Sequence, residues 1–216
     1  MEQVRNFHPL HAAGVQTTRG LVLLAGASGV GKSTLSVALA TEPGAALLSD
    51  SFVMQRGTEV LPVREPVLLD AWSRRWLGER MAMLDAIDGC YGLNRDGFHL
   101  RVPQLSDGGP AALLVLPRRA PHFRIRPVAA AEAQARVSAA NLIINDLRRY
   151  WAFAAVLEQL QPAGLVARRE AELAKLTAEI PCVELGLTPE VTPADAVGAV
   201  LQAFAAERLR VANARM

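Results

Sequence analysis

The chain has 216 residues, 51% of them hydrophobic and 20% charged, with a formal net charge of +2. That balance is expected of a soluble globular protein large enough to bury a real core, and it excludes a disordered or fibrous chain. The small net charge offers no electrostatic footprint for nucleic acid, and no apolar run approaches the roughly 20 residues of a membrane span, so neither partner is expected.

The first residues, Met1 to Arg5, lack the basic-then-apolar order of a secretory signal, so the default expectation is a cytoplasmic protein. Cys90 and Cys182 stand alone without metal-ligand spacing and are expected to be free thiols. The basic residues divide into 21 arginines and two lysines, Lys32 and Lys175. This skew reads as a coding bias toward arginine, against which Lys32 stands out.

Residues 3–7 and 13–17 read as extended around a turn-like Pro9 and Gly14. Gly20 then leads into the apolar run Leu21–Ala25, a predicted strand. Directly after it comes Gly26-Ala27-Ser28-Gly29-Val30-Gly31-Lys32-Ser33-Thr34, opening a predicted helix at Leu35–Leu39. This is the Walker A pattern G-x-x-x-x-G-K-[ST] in the strand–loop–helix setting its chemistry requires. Main-chain N–H groups of such a loop, together with the helix N-terminus, cup phosphate oxygens. Lys32 is expected on the terminal phosphates and Ser33 on Mg²⁺, which makes ATP and Mg²⁺ the expected cofactors.

Glu42-Pro43-Gly44 ends the helix, and Ala45–Ser49 is a second predicted strand ending at Asp50. Asp50 lies 18 residues after Lys32 and is the candidate carboxylate for holding Mg²⁺ or accepting a proton, on a strand expected beside the loop strand. Segments 52–56 and 58–63 flank the hairpin-like Arg56-Gly57. Asp70–Asp88 is predicted helical, its stripe of Trp72, Trp76, Leu77, Met81 and Leu84 assigned to the core.

Residues 89–110 read as loops and hairpins with a strand at Gly97–Val102. Ala111–Leu116 is a buried-type strand followed by Pro117-Arg118-Arg119 rather than by a Walker B aspartate, and Phe123–Arg126 alternates like a half-exposed strand. A long helical region is predicted over 129–161, containing Asn145-Asp146 as a pair that braces a loop or, as the lesser alternative, contacts substrate, and Tyr150, Trp151 and Phe153 as core. A further helix is predicted over 165–179, with Arg168-Arg169-Glu170 and Glu172–Lys175 as a solvated face. Pro181–Leu185 is a late strand, and Thr192-Pro193 starts a last helix running to about 210. The pattern is that of one α/β domain over residues 1–216, with a mixed sheet and a helical C-terminal half.

Leu10-His11-Ala12-Ala13-Gly14-Val15, the run Gly20–Ser33, and Gly44–Ser51 together resemble the HPr kinase/phosphorylase-like P-loop kinase family over residues 8–70. A looser likeness covers 180–205, through Ile180-Pro181-Cys182-Val183-Glu184-Leu185. The stretch Thr58–Leu69 resembles short members, some of which phosphorylate serines of ribosomally made peptides. The resemblance implies a P-loop fold of the HPr kinase C-terminal-domain type. It also implies an ATP-dependent phosphotransferase with Asp50 as base, Mg²⁺ ligand or both, and it permits a homo-oligomer. By the same comparison His11 lies beside the phosphates, with a core histidine as the equal alternative, whereas His8, His99 and His122 are structural or solvent-facing.

Ser51 replaces the second acid of the family's Asp-Asp pair, and no E-I-R-G-type signature is present. The acceptor is therefore not read as HPr. A serine hydroxyl on a peptide or small protein is expected, with a small-molecule alcohol or an acceptor-free ATPase switch as alternatives. Among the arginines, Arg64 and the pair Arg118–Arg119 are the candidates for neutralising transferring phosphate, and Arg124 and Arg126 are read as solvated charge.

Overall fold

The computed structural model describes residues 7–90, 96–100, 106–144 and 164–213. Strands β1 (His8–Leu10), β2 (Ala12–Thr17) and β3 (Gly20–Ala25) precede helix α1 (Lys32–Ala40). Strands β4 (Ala46–Ser49), β5 (Val53–Arg56), β6 (Glu59–Pro62) and β7 (Val67–Leu69) lead to helix α2 (Ala71–Leu77). A 3₁₀ turn at Gly78–Met83 is followed by β8 (Leu84–Cys90), β9 (Asp96–Leu100), β10 (Gly109–Arg119) and β11 (Arg124–Pro127). The chain continues through α3 (Ala130–Ile144), α4 (Leu165–Glu179), β12 (Cys182–Leu187) and α5 (Pro193–Asn213). The molecule is thus α/β with a mixed sheet, and among the described residues no helix is long and apolar enough to cross a membrane.

The order β4-β2-β3-β10-β12-β11 forms the centre, with β3 parallel to β10 and β10 parallel to β12. Strand β2 runs antiparallel to both β3 and β4. Hence β3, β4, β10 and β12 all end at one edge, and β2 begins there. The antiparallel strands β1, β5 and β6 extend the sheet from the start of β10.

Apolar residues of β3 alternate across this sheet. Val22 and Leu24 join the cluster under α1 and α5, while Leu21, Leu23 and Ala25 join the one under α3 and α4. Burial on both faces explains why the strand reads as an unbroken apolar run.

Several expectations are corrected. Pro9 sits inside β1, an edge strand where its missing N–H costs nothing, and Gly14 lies mid-strand in β2. A Cβ at Gly14 would stand 2.7 Å from Leu48 Cδ2, so close packing rather than a turn accounts for the glycine. The helix predicted over Asp70–Asp88 stops at Leu77, because Gly78 takes φ +56°, ψ −125°, and Leu84–Cys90 is instead a strand paired with β9. Strand β4 does not adjoin β3; β2 lies between them. Asn145, Asp146, Tyr150, Trp151 and Phe153 lie outside the described residues, as do residues 91–95 and 101–105.

Candidate functional site

A cleft of about 340 Å³ opens at the edge where β3, β4, β10 and β12 end. Its floor is the glycine-rich loop between β3 and α1. Gly29 and Gly31 hold φ values of +79° and +99°, which a side-chain-bearing residue adopts only under strain. Nothing lies within 4 Å of a Cβ built at the exposed Gly29. Lys32 is folded back over the loop, its Nζ donating to the carbonyls of Gly26 (2.9 Å) and Ala27 (3.0 Å). Helix α1 starts with no side-chain cap, leaving its first N–H groups directed at the cleft.

Asp50 follows β4 directly and is fully buried. Its carboxylate accepts from the Leu68 N–H (3.4 Å), from Ser51 Oγ (3.5 Å) and from the Ser33 side chain, and Ser36 Oγ lies 3.3 Å from it and 2.8 Å from the Ser33 carbonyl. Burial pushes its pKa up from 3.8 to about 6, against the pull of the Leu68 and Ser33 hydrogen bonds. Glu65 adds to the rise and accepts the backbone N–H groups of Ser51 (3.0 Å) and Phe52 (2.9 Å), pinning the turn that carries Asp50. A carboxylate held at Glu65 therefore faces the turn in which Ser51 stands.

His11 enters because β2 starts between the ends of β3 and β4, Ala12 pairing with Ala25. The side chain is buried, edge-on to the Phe52 ring at 5.1 Å, and neither ring nitrogen has a hydrogen-bond partner. Burial, with Lys32 nearby, lowers its pKa to about 4, so the imidazole is neutral at pH 7. Its backbone is braced from α3: the His11 N–H donates to Asn141 Oδ1 (2.8 Å), and Asn141 Nδ2 donates to the Val137 carbonyl (2.8 Å).

Gly26 to Thr34, Asp50 and His11 are thus brought together at one edge, with Ser28 through Thr34, Asp50 and His11 lining the cleft itself. Arg119 also lines it, its Nη2 3.5 Å from the Gly29 carbonyl. Arg118 and Arg64 are placed elsewhere. Successive residues of a strand face opposite sides, so Arg118 points to Glu184, its Nε 3.1 Å from Oε1, and Arg64 pairs with the exposed Asp107. Arg124 and Arg126 are not simply solvated, because with Arg118 and Arg136 they converge on the buried Glu184. Burial alone would raise the Glu184 pKa, but hydrogen bonds from Arg126 and Arg136 and the charge of Arg118 bring it down to about 2.

His99 and His122 are exposed and His8 is half-buried. Burial raises the Cys182 thiol to about 11, an unreactive state. The face at 168–175 is only partly solvated: Glu172 accepts from the Gly57 N–H at 2.6 Å and Glu170 from Ser138 Oγ at 2.5 Å.

Sequence reasoning missed the opposite wall. Trp72 and Trp76 stack at 6.1 Å and line the cleft with Leu187, Thr188, Pro189 and Val191; Trp76 also packs against the core as expected, whereas Trp72 is 46% exposed. The signal available was the spacing of four, which puts both indoles on one face of a helix that ends within two turns. Leu77 and Leu84 of the same stripe are buried as expected.

The oxygen donors suit a hard divalent cation. Ser33 Oγ and the Asp50 carboxylate lie in hydrogen-bond contact, and Mg²⁺ takes one or two such protein oxygens with phosphates and water supplying the rest. Among the described residues no group of three or more His, Cys, Asp or Glu side chains forms a metal cage. No family model matches the chain, and no curated protein matches it.

Proposed function

We propose that the protein is an ATP-dependent kinase of the HPr-kinase-like P-loop type, moving the γ-phosphoryl group to a serine hydroxyl of a peptide or small protein. The observation that supports this most is the convergence at one edge of an open glycine loop with its lysine, a buried carboxylate tuned upward, and an unpartnered imidazole. In this reading residues 1–216 form one catalytic domain working on ATP in the cytoplasm.

The loop amides and Lys32 grip the β- and γ-phosphates, Lys32 exchanging its two carbonyl contacts for phosphate oxygens. Ser33 and Asp50 would hold Mg²⁺, which would offset the negative charge of the phosphates. In the ligand-free protein burial raises the Asp50 pKa to about 6, and the carboxylate serves as base for the acceptor hydroxyl, as Mg²⁺ ligand, or as both in turn. As base, it takes the acceptor oxygen's proton as that oxygen bonds to the γ-phosphorus, while the bond to the β–γ bridging oxygen breaks and ADP departs. Neutral His11 presents a free ring nitrogen to the same space and can hydrogen-bond the acceptor or a γ-oxygen. Arg119 stands over the loop near Gly29 and can counter charge on the transferring group.

The test is ATP consumption by the full chain with and without serine-containing peptides. Transfer to a peptide that stimulates turnover, lost in Lys32→Ala, is expected. Hydrolysis at the same rate with and without acceptor would favour an ATPase switch, and full activity in Lys32→Ala would refute the site.

A further inference from the structure

The cleft lining is of two kinds: Asp50, His11 and Lys32 are polar, whereas Trp72, Trp76, Leu187, Pro189 and Val191 form an apolar wall. The wall adjoins the loop directly: Thr34 Oγ1, two residues after Lys32, shares a 2.7 Å hydrogen bond with Ser73 Oγ, the neighbour of Trp72. A ligand gripped by the loop therefore has the indole pair beside it.

That pair is held from three directions. Asp70 caps α2 by accepting the Ser73 N–H at 2.7 Å. Ser73 ties the helix to α1, and Trp76 Nε1 donates to the Val191 carbonyl at 2.6 Å. The rings lie 18° from parallel, so Trp76 backs Trp72 and fixes its plane. Trp72 is 46% exposed and lines the cleft, so its ring face is open to a ligand there.

We propose that the Trp72–Trp76 pair, with Leu187, Pro189 and Val191, seats the nucleobase of the bound nucleotide by stacking. This inference rests on the phosphate-grip reading of the loop and adds what that reading leaves open, the base-binding wall. Stacking on a π-face suits the apolar residues of this wall, beside which Thr188 and Ser73 supply hydroxyls. Trp72 is the contact residue and Trp76 the positioning residue behind it.

The experiment compares Mg²⁺–ATP with Mg²⁺–tripolyphosphate, which has the phosphates and no base, by titration calorimetry on the full chain. In Trp72→Ala the Kd for ATP should rise about 5- to 150-fold while that for tripolyphosphate stays within twofold. Trp72→Phe, which keeps a ring, should restore ATP affinity to within about threefold of wild type. In a Trp151→Phe background, where Trp72 and Trp76 are the remaining indoles, ATP should quench the intrinsic fluorescence and tripolyphosphate should not. Unchanged ATP affinity in Trp72→Ala, or equal loss for both ligands, overturns the base seat while leaving the phosphate grip standing. Failure of the wild-type protein to bind either ligand refutes the phosphate grip itself, and the base seat falls with it.

Discussion

Replacing Asp50 by asparagine should stabilise the ligand-free protein while removing its activity. The folded environment raises this carboxyl from 3.8 to about 6, chiefly by burial. Below about pH 3 the group is protonated in both folded and unfolded chains and costs nothing. Between pH 4 and 6 the unfolded chain ionises while the folded one does not, so stability falls as pH rises, and above 6 the loss is complete. At about 1.4 kcal/mol per pH unit the loss is on the order of 3 kcal/mol.

Asparagine carries no such penalty, and its hydrogen bonds can be met. Its oxygen can accept from Leu68 N–H and Ser51 Oγ, and its amide can donate to Ser36 Oγ, whose own proton already goes to the Ser33 carbonyl. Allowing for imperfect geometry, D50N should exceed wild type by about 1–3 kcal/mol at pH 8, with the difference gone at about pH 3. Urea unfolding of both proteins at each pH, without nucleotide or Mg²⁺, measures this. A variant less stable than wild type at pH 8, or a gap independent of pH, would refute the assignment of a destabilised, site-directed carboxylate.

Glu184 works in the opposite sense, its pKa held near 2 by the arginines around it. Its contribution is present above pH 4.5 and is lost as pH falls toward 2; because those arginines are 31–55% exposed, Glu184→Gln should cost only about 1–2 kcal/mol at pH 7 in urea unfolding and flatten that acid limb. Gly14→Ala should lower stability by about 1–3 kcal/mol in the same assay, since the added methyl meets Leu48 Cδ2 at 2.7 Å inside a buried strand pair.

The strand–loop–helix around Lys32 was legible because local pattern determines it: an apolar run, glycines at special φ, then a helix. Asp50 at a strand end was legible for the same reason. Strand order was not, because the insertion of β2 between β3 and β4 is a tertiary outcome, and with it comes the entry of His11 beside the loop. Arg118 and Arg119 could not be told apart in the sequence, since only the pleat assigns one to Glu184 and the other to the cleft. Glu184 itself left a trace, a lone charge inside Cys182–Leu187, which a buried strand carries only when it is paired. The two tryptophans matched a core stripe in spacing; Trp76 does pack against the core, whereas Trp72 stays 46% exposed in the cleft.

The most direct test of the whole account is a crystal structure with Mg²⁺ and a non-hydrolysable ATP analogue. The triphosphate should lie within the amides of residues 26–34, with Lys32 Nζ moved from the Gly26 and Ala27 carbonyls to phosphate oxygens and the Asp50 carboxylate facing the γ-phosphate. A nucleotide bound elsewhere, or an Asp50 carboxylate turned away from the terminal phosphate, would contradict it.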